Sequence, residues 1–267
     1  MLSVNNFINQ RKSLLVLGLM MLGLFIAPNP AKAVTLSTLT SQDATPGFDD
    51  ADFRLMLDSG YFKELFVAEG RIGNNGFGGN GERELGINKD VKLGGSPVAS
   101  GNLAWGNGKL WNFSLEYTGS KVTYKVFDNL SQAVELTSQE FSAPITDIFF
   151  RTFANKGNNN NLQNAVSLSD LVLDGTGIGS LSSVGSASTA DVDYIRVADI
   201  SASFKLTGKT SLSWLGDAPG RSNLAFQIKV GNSPKSVPEP VTLAAIFVAG
   251  IAGASASKRK KTATQQT

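Results

Sequence analysis

Asp43, Asp49, Asp50 and Asp52 fall within a ten-residue stretch. Carboxylates at that density are the ligands of a hard cation such as Ca²⁺, which takes six to eight oxygens. Their spacing does not match an EF-hand loop, and Asp49 is better placed as a helix cap. Asp170 with Asp174, and Asp191 with Asp193, are the other acidic pairs. Carboxylates at i, i+2 on a strand share one face, usually a solvated one. The residue types allow an oxygen-held ion, Ca²⁺ or Mg²⁺, with one of these clusters as the candidate site of a structural calcium, and no organic cofactor is expected. The chain has no cysteine and no histidine. That excludes disulfides, thiol nucleophiles, a Ser-His-Asp triad and any Cys or His metal site. Carboxylates, Lys and Tyr are the remaining general bases. A pair of carboxylates about 5–10 Å apart could hydrolyse a glycoside. Glu116, between Leu115 and Tyr117, is the only acid flanked that way. Strand alternation puts it on the face opposite Trp111, Phe113, Leu115 and Tyr117, the wet face. No catalytic residue is assigned, and the chain reads as a non-enzyme.

Aromatic rings are the other candidates, since Trp and Tyr stack on sugar rings. Trp111 recurs at period two with Phe113 and Leu115 and reads as core, and Trp214, Tyr117 and Tyr124 also read as structural. Trp105 lies between Ala104 and Gly106 in a Gly/Asn-rich stretch and is the candidate exposed ring. The loop RIGNNGFGGNG at 71–81 contains a superficial G-x-G-x-x-G. A dinucleotide site needs a strand before it and a helix after it. Here Glu82-Arg83-Glu84 and more glycine follow, so a surface loop is expected.

These residues must be positioned by strands. Residues 111–117 alternate apolar and polar, as do 122–126, with Thr118-Gly119-Ser120 as the turn between them. A second hairpin is expected from Ile200, Ala202, Phe204 and Leu206, a turn at Thr207-Gly208-Lys209, and a return through Leu212 and Trp214. Leu224, Phe226, Ile228 and Val230 make a last strand. Weaker strands are expected at 64–69, 145–153, 165–173 and 191–198. One helix is expected from Asp49 to Gly60, capped by Asp49 and ended by Gly60, with Phe53, Met56 and Leu57 on one face. The fold expected is all-β: one antiparallel sandwich of jelly-roll type with a short helix, over 34–236.

The two ends read as addresses. Arg11 and Lys12 precede an apolar run at 13–27, and Pro28 and Pro30 break it. Ala31-Lys32-Ala33 is a small-x-small cleavage site. Residues 1–33 are therefore expected to be a signal peptide, cut by signal peptidase between Ala33 and Val34. At the other end come Val237-Pro238-Glu239-Pro240, 16 uncharged residues at 241–256, and the basic cluster Lys258, Arg259, Lys260 and Lys261. Such a segment makes a helix of about 24 Å, marginal for a bilayer core. The basic cluster stays cytoplasmic by the positive-inside rule, with 262–267 as a short tail. The whole chain has 24 basic and 22 acidic residues. Setting aside the seven basic residues of the two ends leaves 17 against 22 in 34–257, a net charge of −5. Such a body is not built to hold nucleic acid through its phosphates.

The order Val-Pro-Glu-Pro, apolar helix, basic cluster at 237–261 resembles the PEP-CTERM sorting signal of Gram-negative bacteria, cyanobacteria included. The resemblance implies recognition and removal of the tail by an exosortase, a membrane enzyme. It also implies transient anchoring in the inner membrane, then delivery to the cell surface or extracellular matrix. Proteins of that family are associated with exopolysaccharide and biofilm. The body also resembles the choice-of-anchor W domains of cyanobacterial PEP-CTERM proteins, through VDYIRVADI at 192–200, Leu206-Thr207-Gly208, Leu212-Ser213-Trp214 and LAFQIKVG at 224–231. Together these imply a structural or adhesive role in extracellular polymer. The alternative is a carbohydrate-binding module, or an enzyme, acting on exopolysaccharide.

Overall fold

The computed structural model describes residues 35–39, 47–73, 84–89, 97–130, 132–155, 160–200, 203–220 and 222–234. All fall in one compact unit, 34–267. The expected signal peptide and the sorting tail lie outside the described residues.

Thirteen strands and one helix make up the described fold. The strands are β1 (Thr35–Leu39), β2 (Lys63–Arg71), β3 (Leu85–Asn88), β4 (Pro97–Gly101), β5 (Leu110–Tyr117), β6 (Val122–Phe127), β7 (Ala133–Ser138), β8 (Asp147–Ala154), β9 (Asn161–Leu173), β10 (Thr176–Gly185), β11 (Asp191–Ala198), β12 (Phe204–Gly216) and β13 (Leu224–Asn232). The helix α1 (Asp50–Asp58) lies between β1 and β2. One sheet has seven strands in the order β1-β11-β8-β13-β2-β3-β4, the other six in the order β10-β9-β12-β5-β6-β7. Every strand pairing is antiparallel.

The main core lies between the sheets. Phe66, Ile148, Phe150, Phe226 and Ile228 from the first sheet meet Trp111, Phe113, Leu115, Tyr124 and Leu206 from the second. The β5–β6 hairpin is as the alternation predicts, with Tyr117 opposite Val122. The second expected hairpin is not formed. β12 runs straight through Thr207-Gly208-Lys209 as one 13-residue strand. Its inward residues stay in phase from Phe204 and Leu206 to Leu212, which a turn would have broken. Gly208 is there for space. A Cβ on it would lie 2.8 Å from Leu171 Cδ2 and from Phe113 Cε1.

A turn does occur at Asp174-Gly175, between β9 and β10. Both residues have positive φ, 48° and 84°, the pairing that a two-residue hairpin with right-handed twist demands. The helix forms as its caps predict. The Asp49 carboxylate accepts from the Ala51 and Asp52 amides, and Asp52 accepts from the Asp49 amide, a complete capping box. Gly60, at φ 69°, follows the C-cap residue Ser59.

The first sheet is covered on both faces. Phe53 and Met56 of α1 pack with Phe48, Phe62, Phe149, Val192 and Tyr194 in a second cluster on its outer side. Phe53 stacks on Tyr194 at 5.4 Å and meets Phe149 edge-on at 5.3 Å. This explains why β13 is buried at nearly every position despite its alternating sequence.

Candidate functional site

A cleft of about 230 Å³ opens where α1 crosses the outer face of the first sheet. Strand register builds its floor. Tyr194 of β11 is opposite Arg151 of β8, Arg151 is opposite Gln227 of β13, and Gln227 is opposite Glu69 of β2. One polar row therefore crosses four strands. Lys229, two residues along β13 from Gln227, faces the same way, and Glu64 of β2 reaches it. The helix supplies Asp50 and Arg54, one turn apart, which share its cleft-facing side.

Asp50 is the hub. Arg151 donates to it from Nε at 2.6 Å and from Nη2, a bidentate pair. The Tyr194 hydroxyl donates to the same carboxylate at 2.6 Å. Burial opposes ionisation of Asp50, but the Arg151 hydrogen bonds and charge outweigh it. The carboxyl is held below its ordinary range. Burial pushes the Tyr194 phenol well above its ordinary value, so it stays a neutral donor. Lys229 is 5% exposed and pairs with Glu64 at 3.0 Å, with its ammonium 4.8 Å from the Phe53 ring centre. Gln227 donates to Glu69 at 3.3 Å. Arg54 is exposed at the rim and has no hydrogen-bond or ion-pair partner among the described residues.

The cleft holds three cations, two carboxylates, one amide and one phenol. Among the described residues Asp50 is engaged by three donors and Glu64 by Lys229 alone, so most of the free capacity is in donors, with some acceptor capacity left on Glu64. That arrangement suits binding of an acceptor-rich ligand rather than proton abstraction.

Trp105 is not an exposed ring. It is fully buried in the main core. Its indole N–H donates to the Arg71 carbonyl at 2.8 Å, and its own carbonyl accepts from the Trp111 indole at 2.8 Å. The Gly/Asn-rich surroundings mark tight backbone turns at Gly106 and Gly108, both at positive φ, and not solvent exposure of the ring. Trp105 therefore cannot stack on a sugar. Trp111 is buried as expected, and Trp214 is half-buried.

The acidic groups are dispersed among separate tasks. Asp43 lies outside the described residues. Asp49 and Asp52 cap α1, and Asp50 pairs with Arg151. Asp170 pairs with Lys209 at 2.8 Å, and Asp174 accepts from the Lys205 amide. Asp191 accepts from the Val184 amide, and Asp193 accepts from buried Ser183, which also bonds Thr152. Among the described residues no group of three or more acids converges on a metal position. Glu116 is exposed on the outer face of the second sheet, as the alternation predicts. Residues 74–81 of the glycine-rich loop, with Glu82 and Arg83, lie outside the described residues. So do Ala31, Ala33, Val34, Val237, Pro238, Glu239, Pro240, Lys258, Arg259, Lys260 and Lys261.

Arg54, Glu64, Arg151, Tyr194, Gln227 and Lys229 were not singled out by sequence reasoning. For Tyr194, Gln227 and Lys229 the one local signal is polar residues at alternate positions of β11 and β13, which alone reads as a wet face. The chain matches no protein-family profile, and no curated protein matches it.

Proposed function

We propose that this chain is an exported, non-catalytic β-sandwich protein whose C-terminal tail is removed by an exosortase. Its place is then the cell surface or extracellular matrix of a Gram-negative, cyanobacterial-type host, with a structural or adhesive role in extracellular polymer. The observation that carries this reading is that the described strands lie between the two addresses in the sequence. β1 begins at Thr35, just after the small-x-small site, and β13 ends at Asn232, ahead of Val237. Cutting at these two addresses removes none of the thirteen described strands. The sandwich is read as jelly-roll type because the chain passes between sheets at β4–β5, β7–β8, β8–β9, β10–β11, β11–β12 and β12–β13.

Glu239 and Pro240 then matter for processing and not for folding. Changing both to Ala in the native host should hold the full-length chain in the inner membrane with the body folded. Normal trimming of that double mutant sinks the sorting assignment. The polar cleft under α1 favours a second reading, a carbohydrate-binding module. A glycan array separates the two: selective retention of one glycan class supports the module, and none supports a purely structural role.

A further inference from the structure

We propose that the cleft beneath α1 binds a carboxylate-bearing sugar residue of an acidic polysaccharide, with Arg54 as its exposed anchor. This rests on the reading that the chain works in extracellular polymer.

The argument is a count of unused hydrogen-bonding capacity. A guanidinium has five N–H donors and an ammonium three. Arg151 gives two of its donors, on Nε and Nη2, to Asp50. Lys229 gives one to Glu64. Its remaining donors sit on a side chain 5% exposed that lines the cleft. A nearly buried ammonium with one carboxylate contact and one aromatic face still has hydrogens to place. Arg54 adds a whole unpaired guanidinium at the rim. The lining residues carry one net positive charge, which Glu69 at the end of the polar row offsets, on a body whose net charge is −5. An anion therefore meets less repulsion at this cleft than the body's net charge imposes on average, and the donors of Arg54, Arg151 and Lys229 hold it.

The carboxylates decide the class of anion. Asp50 has three donors on it already, and Glu64 accepts from Lys229 alone among the described residues. Glu64 therefore keeps acceptor capacity beside the donor surplus. A ligand that fits both must bring a carboxylate and hydroxyl donors on one small ring. A uronic acid does. An acidic peptide brings the anion without the hydroxyls, and a neutral sugar the hydroxyls without the anion. A planar carboxylate also matches the guanidinium fork of Arg54. The cleft volume admits a monosaccharide unit, so the polymer would lie across the surface with one residue inserted.

The test uses the full-length chain in mild detergent, titrated with an oligogalacturonate, a neutral oligoglucan of equal length and a poly-glutamate peptide. Binding of the oligogalacturonate alone, weakening as salt rises, is expected. Arg54→Gln should weaken it about tenfold, the loss of one charge-assisted contact, with no change in melting temperature because Arg54 is exposed. Lys125→Gln, on the far sheet, should bind like the parent. Equal binding of the neutral glycan, preference for poly-glutamate, no binding at all, or an unaffected Arg54→Gln would each overturn the proposal. Normal tail removal in the host without uronate binding sinks this inference and leaves the sorting reading. Uronate binding by a chain that is never trimmed does the reverse.

Discussion

Trp105→Ala is the most informative change to the sandwich. The ring is fully buried and meets Trp111 edge-on at 6.3 Å and Phe226 at 6.0 Å. The backbone is shaped around it. A Cβ on Gly70 would lie 2.9 Å from Trp105 Cζ2 and 2.4 Å from Phe226 Cε1, so only glycine lets the ring approach this strand. Removing a buried Trp costs about 3–5 kcal/mol. The indole also donates to the Arg71 carbonyl, which places the expected loss toward the upper end, about 4–5 kcal/mol. In a domain of this size each kcal/mol moves the melting temperature by about 2–4 °C. The drop should therefore be roughly 8–20 °C, with a matching fall in the urea midpoint at unchanged slope. Leu110→Ala is the control: Leu110 is 53% exposed, and its loss should stay within about 0.5 kcal/mol. Trp105→Phe should fall between the two, keeping much of the packing and losing the donor. A Trp105→Ala loss below about 1 kcal/mol would refute the packing argument.

Two further outcomes concern the polar groups Tyr124 and Asp50. The Tyr124 hydroxyl is buried with no hydrogen-bond partner among the described residues, so Tyr124→Phe should leave stability unchanged or raise it by up to about 1 kcal/mol in urea melts; a clear loss would mean the hydroxyl has a partner. The folded-state pKa of Asp50 is depressed, so the stability it contributes is full above its unfolded value, about 3.9, and is lost as pH falls through the folded value. The stability gap between the parent and Asp50→Asn should accordingly be constant from pH 7 to pH 5 and close below about pH 4. A gap that persists at pH 2 would show that packing, and not charge, sets it.

Local signals were reliable where local physics decides. The Asp49 capping box and the β5–β6 hairpin are written in short-range pattern, and both are present. Gly208 misled because a glycine signals a turn as readily as a close approach, and only Phe113 and Leu171, distant in sequence, distinguish them. Asp174-Gly175 shows the converse. As a dipeptide it is a strong hairpin signal, and reading Asp174 as a carboxylate alone hid the β9–β10 turn. Trp105 was misplaced because its neighbours are turn formers while its ring is claimed by β2 and β13. The cleft was hidden for the same reason. Tyr194, Arg151, Gln227 and Glu69 align only through the register of four strands that are not consecutive in sequence.

The central claim is that the sandwich is exported and trimmed at both ends. Intact-mass and terminal-peptide analysis of the protein released by the native host tests it most directly. The account predicts an N-terminus at Val34, a C-terminus at or near Val237-Pro238-Glu239-Pro240, and no peptide containing Lys258, Arg259, Lys260 or Lys261. A released chain that still carries the basic cluster, or one that begins upstream of Val34, would contradict it.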